Sequence, residues 1–247
     1  MPLTILINGA RGRMGRALAA AAAELGARVG AAVDRGDDAA AAAAGCDVIV
    51  DFSSPAATGG MLRLAADRRL PIVIGTTGHD PAELPRLRAA AAAVPCVWAS
   101  NYSVGVNVLF HLAGEAARIL DAGYDAEIVE MHHRFKKDAP SGTAGRLLEI
   151  IQAARQAGPG AVRHGRQGIT GERPRGEVGV HSLRGGDVVG DHAVIFAGLG
   201  ERLELTHRAT DRAILARGAL RAAEWIRTRP PGLYDMQDVL GFRRAGR

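Results

Sequence analysis

The sequence predicts an α/β protein in which a doubly wound parallel sheet is interrupted by an inserted α+β domain. Three observations carry this expectation. The first hundred or so residues alternate short apolar runs with helical patterns. A glycine-rich turn directly follows the first apolar run. Beyond residue 177, strand-like runs succeed one another without helices between them. A chain of 247 residues has room for two modest domains.

The elements follow in order. Residues 3–8 form an apolar run read as a strand, and 13–25 a helix of small residues. Further strands are expected at 28–34 and 47–52, a helix at 55–69, a strand at 71–75, a helix at 80–92 and a strand at 94–98. The pattern then changes. A long helical stretch at 106–121 leads to a strand at 124–131, a polar loop and a helix at 144–157. A glycine-, proline- and arginine-rich loop at 158–176 precedes strand-like runs at 178–183, 188–196 and 202–207, which imply an antiparallel or mixed sheet. A final helix is expected at 211–227 with Asp211 as its N-cap. The division is therefore 1–104 with 210–247 for the first domain and 105–209 for the inserted one.

Composition narrows the class. At 47% hydrophobic and 23% charged the chain is globular, and aromatics are scarce at 4%. The alanine run 39–44 reads as compositional bias with no function attached. The net charge of +5 comes from scattered arginines, with modest concentrations at 163–175 and at Arg243, Arg244 and Arg247. No long basic run interleaves with aromatics, so no nucleic-acid partner is expected. The surplus reads as a solvated surface or as a mouth that steers an anionic small ligand. Cys46 and Cys96 lie in apolar segments without a CxxC or Cys/His partner and read as buried, reduced thiols. No apolar run reaches the ~18 residues of a membrane span. The opening residues run straight into a strand, which leaves no room for a signal peptide; a cytoplasmic protein without a membrane partner is expected.

The turn after the first strand is Gly9-Ala10-Arg11-Gly12-Arg13-Met14-Gly15, spaced GxxGxxG. Opening a helix, it presents backbone amides and a helix N-terminus to a pyrophosphate, and Asp34 at the end of the second strand suits a ribose hydroxyl. Together they imply a dinucleotide cofactor. The loops Asp51-Phe52-Ser53-Ser54-Pro55 and Gly75-Thr76-Thr77-Gly78 end strands where such ligands bind, and read either as cofactor lining or as turn chemistry.

The densest polar cluster runs from Glu130 to Thr143. Pro140 discourages helix at Ala139, Ser141 is a candidate N-cap, and the amides of Gly142 and Thr143 then lie in a first turn suited to a carboxylate. His132, His133 and Lys136 add titratable rings and a cation. Adjacent histidines on a strand face opposite ways and no carboxylate or cysteine completes a set, so no metal is expected.

GxxGRMG, DFS, GTTG, ASNYSVGVN, EMHHRFKKDAPSGTA, GITGERPRGEVGVHSLRGGDVVGDH and LYDMQDVLG follow one another as in the 4-hydroxy-tetrahydrodipicolinate reductases, which the chain resembles over nearly its whole length. The HHxxKxDAPSGT segment is the most specific of these. The resemblance implies a Rossmann domain plus a mixed-sheet domain that forms a homotetramer, and NADH or NADPH as cofactor. It implies His132 as general acid/base and Lys136 as proton donor. His133, Lys136, Ser141, Gly142 and Thr143 become carboxylate-binding positions. Cofactor contacts are implied at Gly9 to Gly15, Asp34, Arg35, Phe52, Gly75, Thr76, Thr77, Ala99, Ser100, Asn101 and Tyr102. Asp34 stands where many members have glutamate, which leaves the cofactor preference open. The implied activity is reduction of a small cyclic imine bearing two carboxylates, on the diaminopimelate and lysine pathway. The rivals are a dehydrogenase of another amino acid such as aspartate, which would lack HHxxKxDAPSGT, and a non-catalytic dinucleotide sensor, which would need no cationic carboxylate pocket.

Overall fold

Alternation within the apolar runs decides the first sheet. On β1 (Thr4–Asn8), Ile5 and Ile7 face one side and Leu6 the other, and all three are fully buried. A strand buried on both faces needs helices on both. Ile5 and Ile7, with Val48, Val50, Val73 and Val97, pack against α1 (Arg13–Glu24) and α7 (Ala213–Ile226). Leu6, with Ile49, Ile72, Ile74 and Cys96, packs against α3 (Pro55–Arg68) and α4 (Leu84–Ala92). The remaining strands are β2 (Arg28–Val33), β3 (Val48–Asp51), β4 (Ile72–Ile74), β5 (Pro95–Trp98) and β11 (Gly232–Tyr234). Their order is β11-β5-β4-β3-β1-β2, with every pairing parallel. The order reverses between β1 and β3, the switch point outside which ligands bind in such sheets.

The computed structural model describes residues 1–120, 122–156, 158 and 162–242. The expected helix limits at Asp121 and Ala157, part of the loop at 158–176, and Arg243, Arg244 and Arg247 lie outside the described residues. The chain forms two compact units, Met1–Val104 with Arg212–Arg247, and Gly105–Asp211.

The second unit is a five-stranded mixed sheet ordered β10-β9-β6-β8-β7. Its strands are β6 (Asp125–His132), β7 (Val162–His164), β8 (Val178–Arg184), β9 (Gly190–Ala197) and β10 (Arg202–Ala209). Of the three consecutive runs expected near the C-terminus, β9 and β10 pair antiparallel, but β8 and β9 do not pair, because β6 lies between them, parallel to β8 and antiparallel to β9. The 185–189 turn therefore spans two strand spacings, about 9.6 Å. It is tied to the end of β6 by Gly185 N donating to the His132 carbonyl and Arg134 N donating to Gly186. Ala126 and Ile128 of β6 face a core with α5 (Val104–Ile119) and α6 (Gly142–Arg155).

Four short elements escaped the pattern reading: α2 (Ala39–Ala42), β7, β11 and α8 (Met236–Val239). The alanine run is helical because Asp38 caps it, accepting from Ala41 N. α8 begins with a capping box between Asp235 and Asp238. α7 starts at Ala213, with Arg212 rather than the expected Asp211 at the N-cap position and no cap bond from the Arg212 side chain. No described helix is long and apolar enough to cross a membrane. Cys46 and Cys96 are free and buried, and burial pushes both thiols' pKa values up.

Candidate active site

The first unit carries a cleft of about 690 Å³ at the β1/β3 switch point, within the range of small-ligand sites. Gly9, Arg11, Gly12, Asp34, Arg35 and Phe52 line it. Gly9 has φ +86°, and a Cβ on it would lie 2.5 Å from the Phe52 carbonyl. A Cβ on Gly15 would lie 2.3 Å from the Gly9 carbonyl, so this glycine lets α1 close onto the turn. Asp34 accepts from the Arg11 amide at 3.0 Å and the Arg35 amide at 2.9 Å. Those backbone bonds, Arg35's foremost, lower its pKa. Its position and charge fit a ribose hydroxyl, and the glycine turn fits a pyrophosphate.

Not every expected contact reaches this cleft. Thr76 is buried; its hydroxyl accepts from Ser53 N and donates to Asp51. A Cβ on Gly75 would lie 2.1 Å from the Phe52 ring, so this glycine makes room for the ring. Tyr102 is 1% exposed, and its hydroxyl donates to the carbonyls of Ile74 and Val97. The side chains of Thr76 and Tyr102 are thus engaged in the scaffold. Ala10, Arg13, Met14, Thr77, Ala99, Ser100 and Asn101 also lie outside the cleft lining, Thr77 and Ser100 exposed. Asp37 and Arg63 do line it, and the glycine motif gave no sign of either. Asp37 accepts from Asp34 N at 2.9 Å, fixing the loop after β2.

In the second unit the signature folds around one carboxylate. Glu130 is fully buried on the inner face of β6. Arg184 grips it with two bonds of 2.9 Å, Ser141 N donates to it at 3.1 Å, and His132 Nδ1 lies 2.6 Å from its Oε2. Burial pushes the Glu130 pKa up, but the bonds from Arg184, then His132, Ser182 and Ser141, outweigh it and hold the carboxyl at about 2. Burial lowers the His132 pKa, against the opposing pull of Glu130. His192 is buried, its ring edge-on to His132 at 5.1 Å and its Nε2 3.1 Å from Ser141 Oγ. Burial, aided by the neighbouring His132, lowers the His192 pKa to about 4.

His132, Lys136 and the start of α6 are thus brought to one end of the mixed sheet. Ser141 caps α6, accepting from Ala144 N at 3.2 Å. It is 3% exposed with its amide given to Glu130, so it shapes the turn at the start of α6. Gly142 is exposed, and a Cβ there would meet nothing within 4 Å. Thr143 follows, half-buried. Lys136 pairs with Asp138, and His133 lies half-buried beside the exposed Phe135. Glu130, Arg184 and His192 carried no expectation. Only the period-2 rule, which puts Glu130 on the face of His132, could have flagged one of them. Among the described residues no group of three or more His, Cys, Asp or Glu could hold a metal.

A parallel sheet wound on both faces, with a glycine turn at its switch point, is the nucleotide-binding half of an NAD(P)-dependent oxidoreductase. The comparisons narrow this. Family models described as dihydrodipicolinate reductase, N-terminus and C-terminus, match residues 3–102 and 105–240, and the chain belongs to the dihydrodipicolinate reductase family. It is 52% identical over 242 residues to the 4-hydroxy-tetrahydrodipicolinate reductase of Akkermansia muciniphila, covering 97% of this chain and 98% of the relative. The Thiobacillus denitrificans protein of that name is 49% identical over 269 residues, covering 98% and 100%. A dipicolinate-bound dihydrodipicolinate reductase from Paenisporosarcina sp. TG-14 shares the fold at a TM-score of 0.76 and 23% identity, covering 96% of this chain and 99% of that one.

Proposed function

We propose that the protein reduces 4-hydroxy-tetrahydrodipicolinate to tetrahydrodipicolinate with NADH or NADPH, on the diaminopimelate and lysine pathway. The observation that carries this reading is the folded signature: His132 on a buried carboxylate, with Lys136 and the capped first turn of α6 beside it. The net reaction consumes one proton and releases one water as the ring gains a hydride.

Each part has a task. The Gly9 to Gly15 turn holds the pyrophosphate, and Asp34 accepts from a ribose hydroxyl. When bound, the reduced nicotinamide supplies the hydride. Lys136, His133 and the amides of Gly142 and Thr143 hold the substrate's carboxylates. His132 or Lys136 delivers the proton. On this reading Met1–Val104 with Arg212–Arg247 is the dinucleotide-binding domain, and Gly105–Asp211 binds substrate and assembles the protein.

The outer face of the mixed sheet supports assembly. Val129, Met131 and Ile195 stand half-exposed there, and Leu183 is 49% exposed. A homotetramer through this face, at work in the cytoplasm, completes the proposal. Oxidation of NADH or NADPH, coupled to enzymatically generated 4-hydroxy-tetrahydrodipicolinate, tests the activity. Absorbance at the nicotinamide band should fall only when substrate is supplied, and no substrate-dependent fall would refute the reading.

A further inference from the structure

We infer that Glu130 is a positioning residue for the reaction: it fixes the His132 ring with its hydrogen on Nδ1, so that Nε2 exchanges the proton. The inference rests on the reductase reading for its catalytic meaning, and on geometry alone for the ring state. Glu130 lies two residues before His132 on β6 and on the same inner face. It is fully buried, and its oxygens take two bonds from Arg184 and one from Ser141 N, all charge-assisted. A carboxylate so held is an acceptor only. The His132 Nδ1 at 2.6 Å must then be the donor, which leaves Nε2 as the site that gains or loses a proton. The neighbourhood agrees. A Cβ on Gly190 would come within 3.0 Å of His132 Nε2, so the glycine keeps that nitrogen uncrowded.

The groups facing His132 are Glu130 on its own strand, Arg184 on β8, His192 on β9 with His207 behind it on β10, and Lys136 with its partner Asp138 on the following loop. Glu130 is the anion in contact with the ring. It favours the imidazolium, whereas Lys136 and Arg184 oppose it. Removing the Glu130 charge therefore leaves the ring harder to protonate and its hydrogen free to move to Nε2.

Nitrogen-15 NMR of the histidine rings, with His132 assigned by its loss in His132→Gln, reads the ring state without reference to activity. The wild type at pH 8 should show His132 neutral with hydrogen on Nδ1. Glu130→Gln should shift the ring toward the Nε2–H form or a mixture. In the same variant kcat should fall by roughly 100-fold or more, the scale of a misdirected proton transfer. KM should change far less, and the alkaline fall of kcat should move to lower pH, because the protonated donor is lost earlier. A wild-type ring with hydrogen on Nε2 overturns the inference, and needs no variant to fold. So does a folded Glu130→Gln enzyme that keeps the ring state, kcat and pH profile. A wild type inactive toward the substrate, but with the Nδ1–H ring lost in Glu130→Gln, overturns the reductase reading and upholds the Glu130–His132 pair.

Discussion

Lys136 Nζ lies 2.9 Å from Oδ1 and 2.8 Å from Oδ2 of Asp138, an ion pair closed within the signature loop itself. The ammonium is thereby held in place, at the cost of competition with any incoming carboxylate. Lys136→Ala should lower turnover by roughly 100-fold or more, the scale of a positioned proton donor. Cofactor affinity, set in the other unit, should barely move. Steady-state kinetics with fluorescence titration of NADH decide it, and near wild-type turnover would remove Lys136 from the chemistry.

The start of α6 gives a second expectation. Since a side chain at Gly142 meets nothing in the fold, Gly142→Val should keep the wild-type melting temperature while raising substrate KM sharply. Thr143→Val keeps the shape and should cost about 1.5–3 kcal/mol of substrate binding, as for a bond to a charged group. An unchanged KM in both variants would place the carboxylate elsewhere.

Acid stability follows from the buried histidine and its neighbour. The His192 pKa is lowered by burial to about 4, below the ordinary value of 6.5. A lowered value means stability present above pH 6.5 and lost as pH falls through 4, because the unfolded chain takes up the proton first. Glu130, lowered from 4.5 to about 2, extends the loss to lower pH. Each integrates to about 3 kcal/mol at most. Urea unfolding of the wild type should show stability falling from pH 6.5 downward, and His192→Gln should flatten the part between 6.5 and 4. An identical slope in the variant would show that His192 titrates alike in both states.

Assembly has a direct readout. Light scattering at micromolar concentration should report a homotetramer, and Leu183→Glu, on the outer face of β8, should weaken it. A monodisperse species near 25.8 kDa would contradict the proposal.

Asp34 and Arg35 pull on cofactor choice in opposite senses. Asp34 suits the ribose hydroxyl of NADH and repels the extra phosphate of NADPH, while the exposed Arg35 can pair with that phosphate. A charge-assisted contact contributes about 1.5–3 kcal/mol, so neither overwhelms the other. Both cofactors should work with kcat/KM values within roughly tenfold, or about 1.4 kcal/mol. Arg35→Ala should weaken NADPH use about tenfold and spare NADH, on the same energy scale. An equal loss for both would show that Arg35 does not read the phosphate.

The sequence by itself determined what neighbours along the chain control. The period of the apolar runs specified the strands and helices from Thr4 to Trp98 apart from α2; the glycine spacing marked the turn after β1; and Ser141 before Gly142 marked the cap of α6. These depend on a few adjacent residues and on backbone preferences that act locally. The tertiary structure alone decided what joins distant segments. It set β6 between β8 and β9, although β8 and β9 are consecutive. It brought Arg184 across 54 positions onto Glu130, and so turned a glutamate with no expected role into the anchor of His132. It also took the hydroxyls of Thr76 and Tyr102 into the scaffold and brought Asp37 and Arg63 to the cleft. A buried charge must find its partner wherever the chain packs, and strand order is settled by which faces cover the core, so neither is written in any local pattern.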